Sequence, residues 1–186
     1  RFPRARIEAE LDYFVQAGVD QVFVLDPTFD ADREGARGIL ELIAWKAPGI
    51  HWKFEVRAEL LDRDLARRFS RLDVSLQIGL QTADPEVSAA VRRPLDLKAF
   101  ARGIGHLNAE GVIFGIDLIY GLPKDSLAGF RRSVDYALGL QPNHLDIFPL
   151  SVRARSWPRK PRAWAWSGIL GRLIALSPPR AFPPRP

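Results

Sequence analysis

The sequence predicts an α/β fold whose parallel strands form a partial barrel, and three observations carry that prediction. Strand-like and helix-like hydrophobic patterns alternate over residues 1–150, the mark of parallel strands joined by right-handed crossovers. Polar residues gather at or near the C-terminal ends of the strand segments, the edge on which parallel α/β folds build their sites. In two strands every second residue is polar, and a face that polar suits the inside of an open barrel better than a helix-covered sheet.

Ile7, Leu11, Phe14 and Val15 recur at helical spacing and Gly18 supplies a C-cap, so a helix is predicted over about residues 4–17. The strand VDQVFVL (19–25) follows, then a helix capped by Asp30 and Asp32 and reaching Lys46. IHWKFEVR (50–57) is the second strand, and Leu60–Leu72 is helical with Leu61, Leu65 and Phe69 on one face. Next come the strand DVSLQIGLQ (73–81), helical stretches over about 85–91 and 95–110, and the strand GVIFGIDLI (111–119). A helix from Asp125 to Leu140 and the strand HLDIFPL (144–150) complete five strands. Because the pattern starts on a helix, a strand that should precede it is expected to be missing.

Of the 186 residues, 47% are hydrophobic and 26% charged, enough for one domain that buries about 70% of its unfolded surface. No run approaches the roughly 20 apolar residues of a membrane span, and RFPRARIEAEL has no signal-peptide core, so a cytoplasmic protein is expected. The absence of cysteine excludes disulfides, a thiol nucleophile and a Cys-ligated metal. Methionine is absent even at position 1, so the chain is expected to be a piece of something longer.

Charge is segregated. Residues 1–150 hold 19 basic and 22 acidic side chains, a net of −3, whereas residues 151–186 hold eight basic residues and no acid. Seven of 15 prolines and three of five tryptophans (Trp157, Trp164, Trp166) also lie in that tail, which sets a boundary near Leu150. Residues 1–150 are expected to fold. The irregular basic tail, 151–186, is expected to be disordered or non-native, for instance the product of a shifted reading frame. Its competing reading is a nucleic-acid or membrane-surface contact.

Phosphate-loop, dinucleotide and nucleophile-elbow signatures are absent. His51, His106 and His144 are scattered without metal-ligand spacing, so no metal role is assigned to them. The candidate site residues are Asp26, Thr28, Glu55, Arg57, Gln77, Gln81, Asp117, Tyr120 and Gly121. Glu55 and Arg57, two apart on a strand, point the same way and can either grip a polar ligand or pair with each other. Gln77 and Gln81 offer two-sided hydrogen bonds to a ligand or to loop backbone. Asp26-Pro27-Thr28 reads equally as a turn. Asp117 is an inward carboxylate on a strand where Gly115 leaves room, and Gly121-Leu122-Pro123 turns the chain into a helix capped by Asp125 or Ser126.

FVLDPTF, FEVRAELL, SLQIGLQTADPEV followed by Arg93-Pro94, DLIYGLPKDS and PNHLDIFPL together resemble the radical S-adenosylmethionine (SAM) superfamily. The likeness is to the branch of oxygen-independent coproporphyrinogen oxidase and of radical SAM proteins with an N-terminal cobalamin-binding domain. It implies a partial (β/α)6 TIM-like barrel. It also implies SAM and a [4Fe–4S] cluster on three cysteines in C-x-x-x-C-x-x-C, with cobalamin as a further cofactor of the whole protein. By position, it implies Asp26–Thr28 near the methionine part of SAM, Glu55 and Arg57 at its ribose or carboxylate, Gln77 and Gln81 on the ribose side, and Asp117 to Gly121 at the adenine edge. The missing cysteines depart from the family, so the chain is expected to be a fragment, inactive alone, whose partner is the missing N-terminal segment carrying those cysteines. The alternatives are a non-catalytic remnant that binds a nucleotide or a partner chain, and a nucleic-acid binder acting through the tail.

Overall fold

The computed structural model describes residues 2–26 and 29–151. In chain order the elements are α1 (Arg4–Gln16), β1 (Gln21–Val24), α2 (Arg33–Lys46), β2 (His51–Val56), α3 (Arg63–Phe69), β3 (Val74–Gln81), α4 (Pro85–Ala90), α5 (Leu97–Ala109), β4 (Ile113–Tyr120), α6 (Leu127–Gly139) and β5 (His144–Pro149). Short 3-10 turns at Phe29–Ala31 and Ala58–Leu60 follow β1 and β2.

Side-chain caps set the helix starts. Asp32, Asp62, Asp84, Asp96 and Ser126 each accept backbone N–H bonds at the mouth of α2, α3, α4, α5 and α6. The helix predicted from Leu60 therefore begins at Arg63, because Asp62 accepts from the Leu65 N–H at 2.8 Å and fixes the first turn there. Asp30, paired with Asp32 as a cap in the sequence reading, instead lies buried in the 3-10 turn.

All four strand pairings are parallel and the spatial order β1-β2-β3-β4-β5 matches the chain order. A doubly wound sheet reverses its order at a switch point, so this unbroken succession is the wall of a partial, TIM-like barrel. The helix-covered face of the sheet carries Trp52, Phe54, Val56, Leu76, Ile78, Leu80, Phe114, Ile116 and Leu118, all buried. Phe54 is the centre of an aromatic cluster with Phe29 and Phe69, at ring-centroid distances of 4.7 and 5.5 Å. Burying a side chain of that size contributes about 1.5–3 kcal/mol.

Gly103 on α5 is required where it stands, because a Cβ there would lie 1.8 Å from the Ala58 carbonyl oxygen. Among the described residues, no helix is long and apolar enough to cross a membrane. The expectations for the tail lie outside the described residues from 152 onward.

Candidate functional site

The opposite face of the sheet is the one predicted to be polar, and the register arranges it in rows. Lys53, Ser75 and Ile113 are level with one another; Glu55, Gln77, Gly115 and His144 form the next row. Gly79, Asp117 and Asp146 form a third, nearer the C-terminal rim. Two glycines give this face its depth. A Cβ on Gly115 would fall 2.0 Å from His144 Nε2, and one on Gly79 would meet the Gln81 amide at 2.4 Å and the Arg93 guanidinium at 3.3 Å.

Gln77 is the hub. Its Nε2 donates to Asp117 Oδ1 and, at 3.0 Å, to Asp146 Oδ2, while His144 Nε2 lies 3.2 Å from its Oε1. Burial pushes the Asp117 carboxyl above the usual carboxylate range; the Gln77 hydrogen bond opposes this, and the charges of Asp146 and Glu55 add to it.

Arg93 is the residue absent from the nine candidates, although the sequence displays it in the Arg93-Pro94 pair. Ser88 holds its loop through the Arg93 carbonyl, and the guanidinium reaches back to donate to the Gly79 carbonyl at 3.0 Å. Burial lowers its pKa, while Glu59 and Asp117 counteract that effect. At the rim, Gln81 adopts φ +68° at a register shift between Gly79 and Gln81, an unusual backbone for a side chain other than glycine. Its Oε1 and the Arg57 Nε are buried without a hydrogen-bond partner.

Glu55 and Arg57 do not pair with each other. Arg57 pairs with Glu59 at 3.1 Å, and Glu55 stays exposed on the inner face. Asp30 accepts the Arg57 backbone N–H at 3.2 and 3.1 Å and so fixes the turn behind that side chain. Asp26 is half-buried and engaged; Thr28 lies outside the described residues. The Tyr120 ring packs edge-on against Phe130 of α6, with centroids 6.2 Å apart, on the helix side of the sheet. Gly121 follows it with φ +82°, the left-handed turn that sends the chain toward α6. Ser126, not Asp125, caps that helix, accepting from Gly129 N–H at 3.0 Å. The structure thus brings Glu55, Gln77, Gln81, Asp117 and Arg93 to one wall and leaves the Tyr120 ring behind it.

A second cluster sits at the opposite, N-terminal end of the same face. His51 Nδ1 lies 2.7 Å from Asp73 Oδ1 and its Nε2 3.1 Å from Ser75 Oγ. The spacing matches a nucleophile–base–acid set, but Ser75 stands inside a strand paired on both sides, so the strand amides are committed to the ladder and offer no oxyanion hole. The three side chains tie β2 to β3.

A singly wound parallel wall with a polar inner surface toward its C-terminal rim defines the class: an α/β protein of the partial-barrel kind. The radical SAM superfamily model matches residues 2–137, and the chain belongs to that superfamily. Oxygen-independent coproporphyrinogen III oxidase from Pseudomonas aeruginosa is 36% identical over 76 residues, spanning 39% of this chain and 16% of that protein. The Escherichia coli enzyme of the same name is 32% identical over 95 residues, spanning 50% and 20%. Among solved structures, the radical SAM methyltransferase TsrM from Kitasatospora setae, bound to cobalamin and a [4Fe–4S] cluster, superposes with TM-score 0.68 at 13% identity, over 76% of this chain and 29% of that one. HemN from Escherichia coli gives 0.61 at 20% identity, over 78% and 36%. The chain spans about a fifth or less of the length of the curated relatives it matches.

The family implies SAM and a [4Fe–4S] cluster. The cluster does not fit the residues present, since the 186-residue sequence has no cysteine and so no thiolate to ligate iron. A nucleoside-bearing ligand fits better: the inner face offers carboxylates, a carboxamide oxygen without a partner, and the guanidiniums of Arg57 and Arg93.

Proposed function

We propose that residues 2–149 are the section of a radical SAM core that holds SAM, and that the iron–sulfur cluster is ligated by cysteines upstream in the longer protein. The observation that carries this reading is the rim cluster of Asp117, Gln81, Arg57 and Arg93 on the inner face of a wall matched by the superfamily model. Asp117 and Glu55 accept ribose hydroxyls, Gln81 Oε1 accepts from the ribose or the base, and Arg57 or Arg93 takes the methionyl carboxylate. Asp26 borders the methionyl end. Backbone from Asp117 to Gly121 frames the adenine edge, with Tyr120 shaping it from behind through its contact with Phe130. The coproporphyrinogen oxidases and TsrM support radical chemistry as the activity of the whole protein and cobalamin as a further cofactor of it; this chain alone binds SAM without cleaving it.

Isothermal titration calorimetry of the 186-residue chain with SAM tests the binding half. Saturable binding is expected, weakened about tenfold or more by Asp117→Ala or Arg93→Ala, in line with the loss of a charge-assisted hydrogen bond. Anaerobic reconstitution with iron and sulfide tests the other half: this chain stays without cluster absorbance, and a chain extended upstream acquires it. A cluster in this chain, or no SAM binding by the reconstituted extended chain, overturns the reading.

A further inference from the structure

We propose that Gln77 and His144 are positioning residues: His144 locks the Gln77 carboxamide so that its two N–H donors are shared between Asp117 and Asp146, holding Asp117 ionised and aimed into the barrel. As a site for a nucleoside ligand this rests on the reading above, but the hydrogen-bond relay itself does not.

The argument begins with donors and acceptors. Both carboxylates only accept when ionised, so the Gln77 nitrogen must face them. The Gln77 oxygen then points to His144 Nε2, 3.2 Å away, which must carry the proton. Gln77 therefore commits both N–H donors to Asp117 and Asp146 and one acceptor position of its oxygen to His144. No N–H donor is left for a ligand, and a ribose hydroxyl can reach only the remaining acceptor position of the Gln77 oxygen.

His144 can sit there only because position 115 is glycine; its ring occupies the space of the missing Cβ. The charged groups facing Asp117 are Glu55 from β2, Asp146 and His144 from β5, and Arg93 from the loop after α4. With two carboxylates among them, Asp117 depends on the Gln77 amide to remain an anion. A carboxamide released from His144 is free to flip its oxygen toward Asp117 and repel it.

The test is a pH titration of side-chain carboxylates by carbon-detected NMR on the full 186-residue chain, with Asp117 assigned by the Asp117→Asn difference. Gln77→Leu is expected to raise the Asp117 midpoint by about one pH unit, a tenfold gain in proton affinity. His144→Ala and Gly115→Ala, which deletes or displaces the ring, are expected to move it the same way by less. His144→Gln, which restores an N–H donor, is expected to return it toward the parent value. An unmoved midpoint in Gln77→Leu and His144→Ala, or equal shifts in His144→Ala and His144→Gln, overturns the proposal. Calorimetry with SAM on the same variants separates the two readings. Shifted midpoints with no SAM binding by any form uphold the relay and overturn the nucleoside assignment, whereas binding that weakens at the pH where Asp117 protonates upholds both.

Discussion

Asp30 shows how one residue behind the site couples charge to stability. Its side chain is fully buried, and burial raises its pKa from 3.8 to about 6 against the opposing hydrogen bond from the Arg57 backbone. A carboxyl whose folded pKa exceeds its unfolded one is favoured protonated in the fold. Its penalty is therefore absent below about pH 4, grows between pH 4 and 6, and is constant above. At about 1.4 kcal/mol per unit the full effect is up to about 3 kcal/mol. Denaturant unfolding at several pH values is expected to show the parent chain losing that much relative to Asp30→Asn between pH 4 and 6; a pH-independent difference between the two would refute it. Asp30 was legible in the sequence only as a cap candidate, because a turn residue and a buried strut share the same local pattern. For Gln77, alternation with Ser75 and Gly79 places it on the inner face, but its carboxylate partners lie 40 and 69 residues away and leave no local signal.

Elements were read more securely than single side chains. The helix starts carry Asp or Ser at the cap, and the strands carry alternating apolar residues, both of which are local signals. The 3-10 turn Ala58–Leu60 has no such signal, and only its last residue, Leu60, falls within the helix the sequence predicts. What holds it is the approach of α5, where Gly103 lies against the Ala58 carbonyl. Gly103→Ala is expected to cost at least about 1–3 kcal/mol, the range for overpacking, since the obstructing atom is backbone and cannot rotate away. Gly105→Ala, two residues along on the exposed side with nothing within 4 Å, is expected to gain up to about 1 kcal/mol from helix propensity. Equal effects of the two in thermal or urea unfolding would show that the close approach is unimportant.

At the scale of the molecule, the two faces of the sheet carry opposite burdens. One is core: Phe54→Ala is expected to cost about 3–5 kcal/mol. The other is the polar inner face, so Glu55→Ala, on the next residue, is expected to change stability by no more than about 0.5 kcal/mol, as for an exposed substitution. Urea unfolding of both variants checks this, and a large loss from Glu55→Ala would mean that the inner face is structural.

The sequence by itself determined the alternation of strands and helices, the polar inner face and the family motifs, because each depends on residue spacing along a single element. Only the tertiary structure decided the strand order that makes a barrel wall, the Arg57–Glu59 pairing in place of Glu55–Arg57, the placement of the Tyr120 ring behind the sheet, and the Gln77 hub. The strand order and the Gln77 hub depend on contacts between strands distant in the chain, and the Arg57–Glu59 pair and the Tyr120–Phe130 contact depend on how the chain turns after β2 and β4; residue spacing along one element fixes none of these pairings.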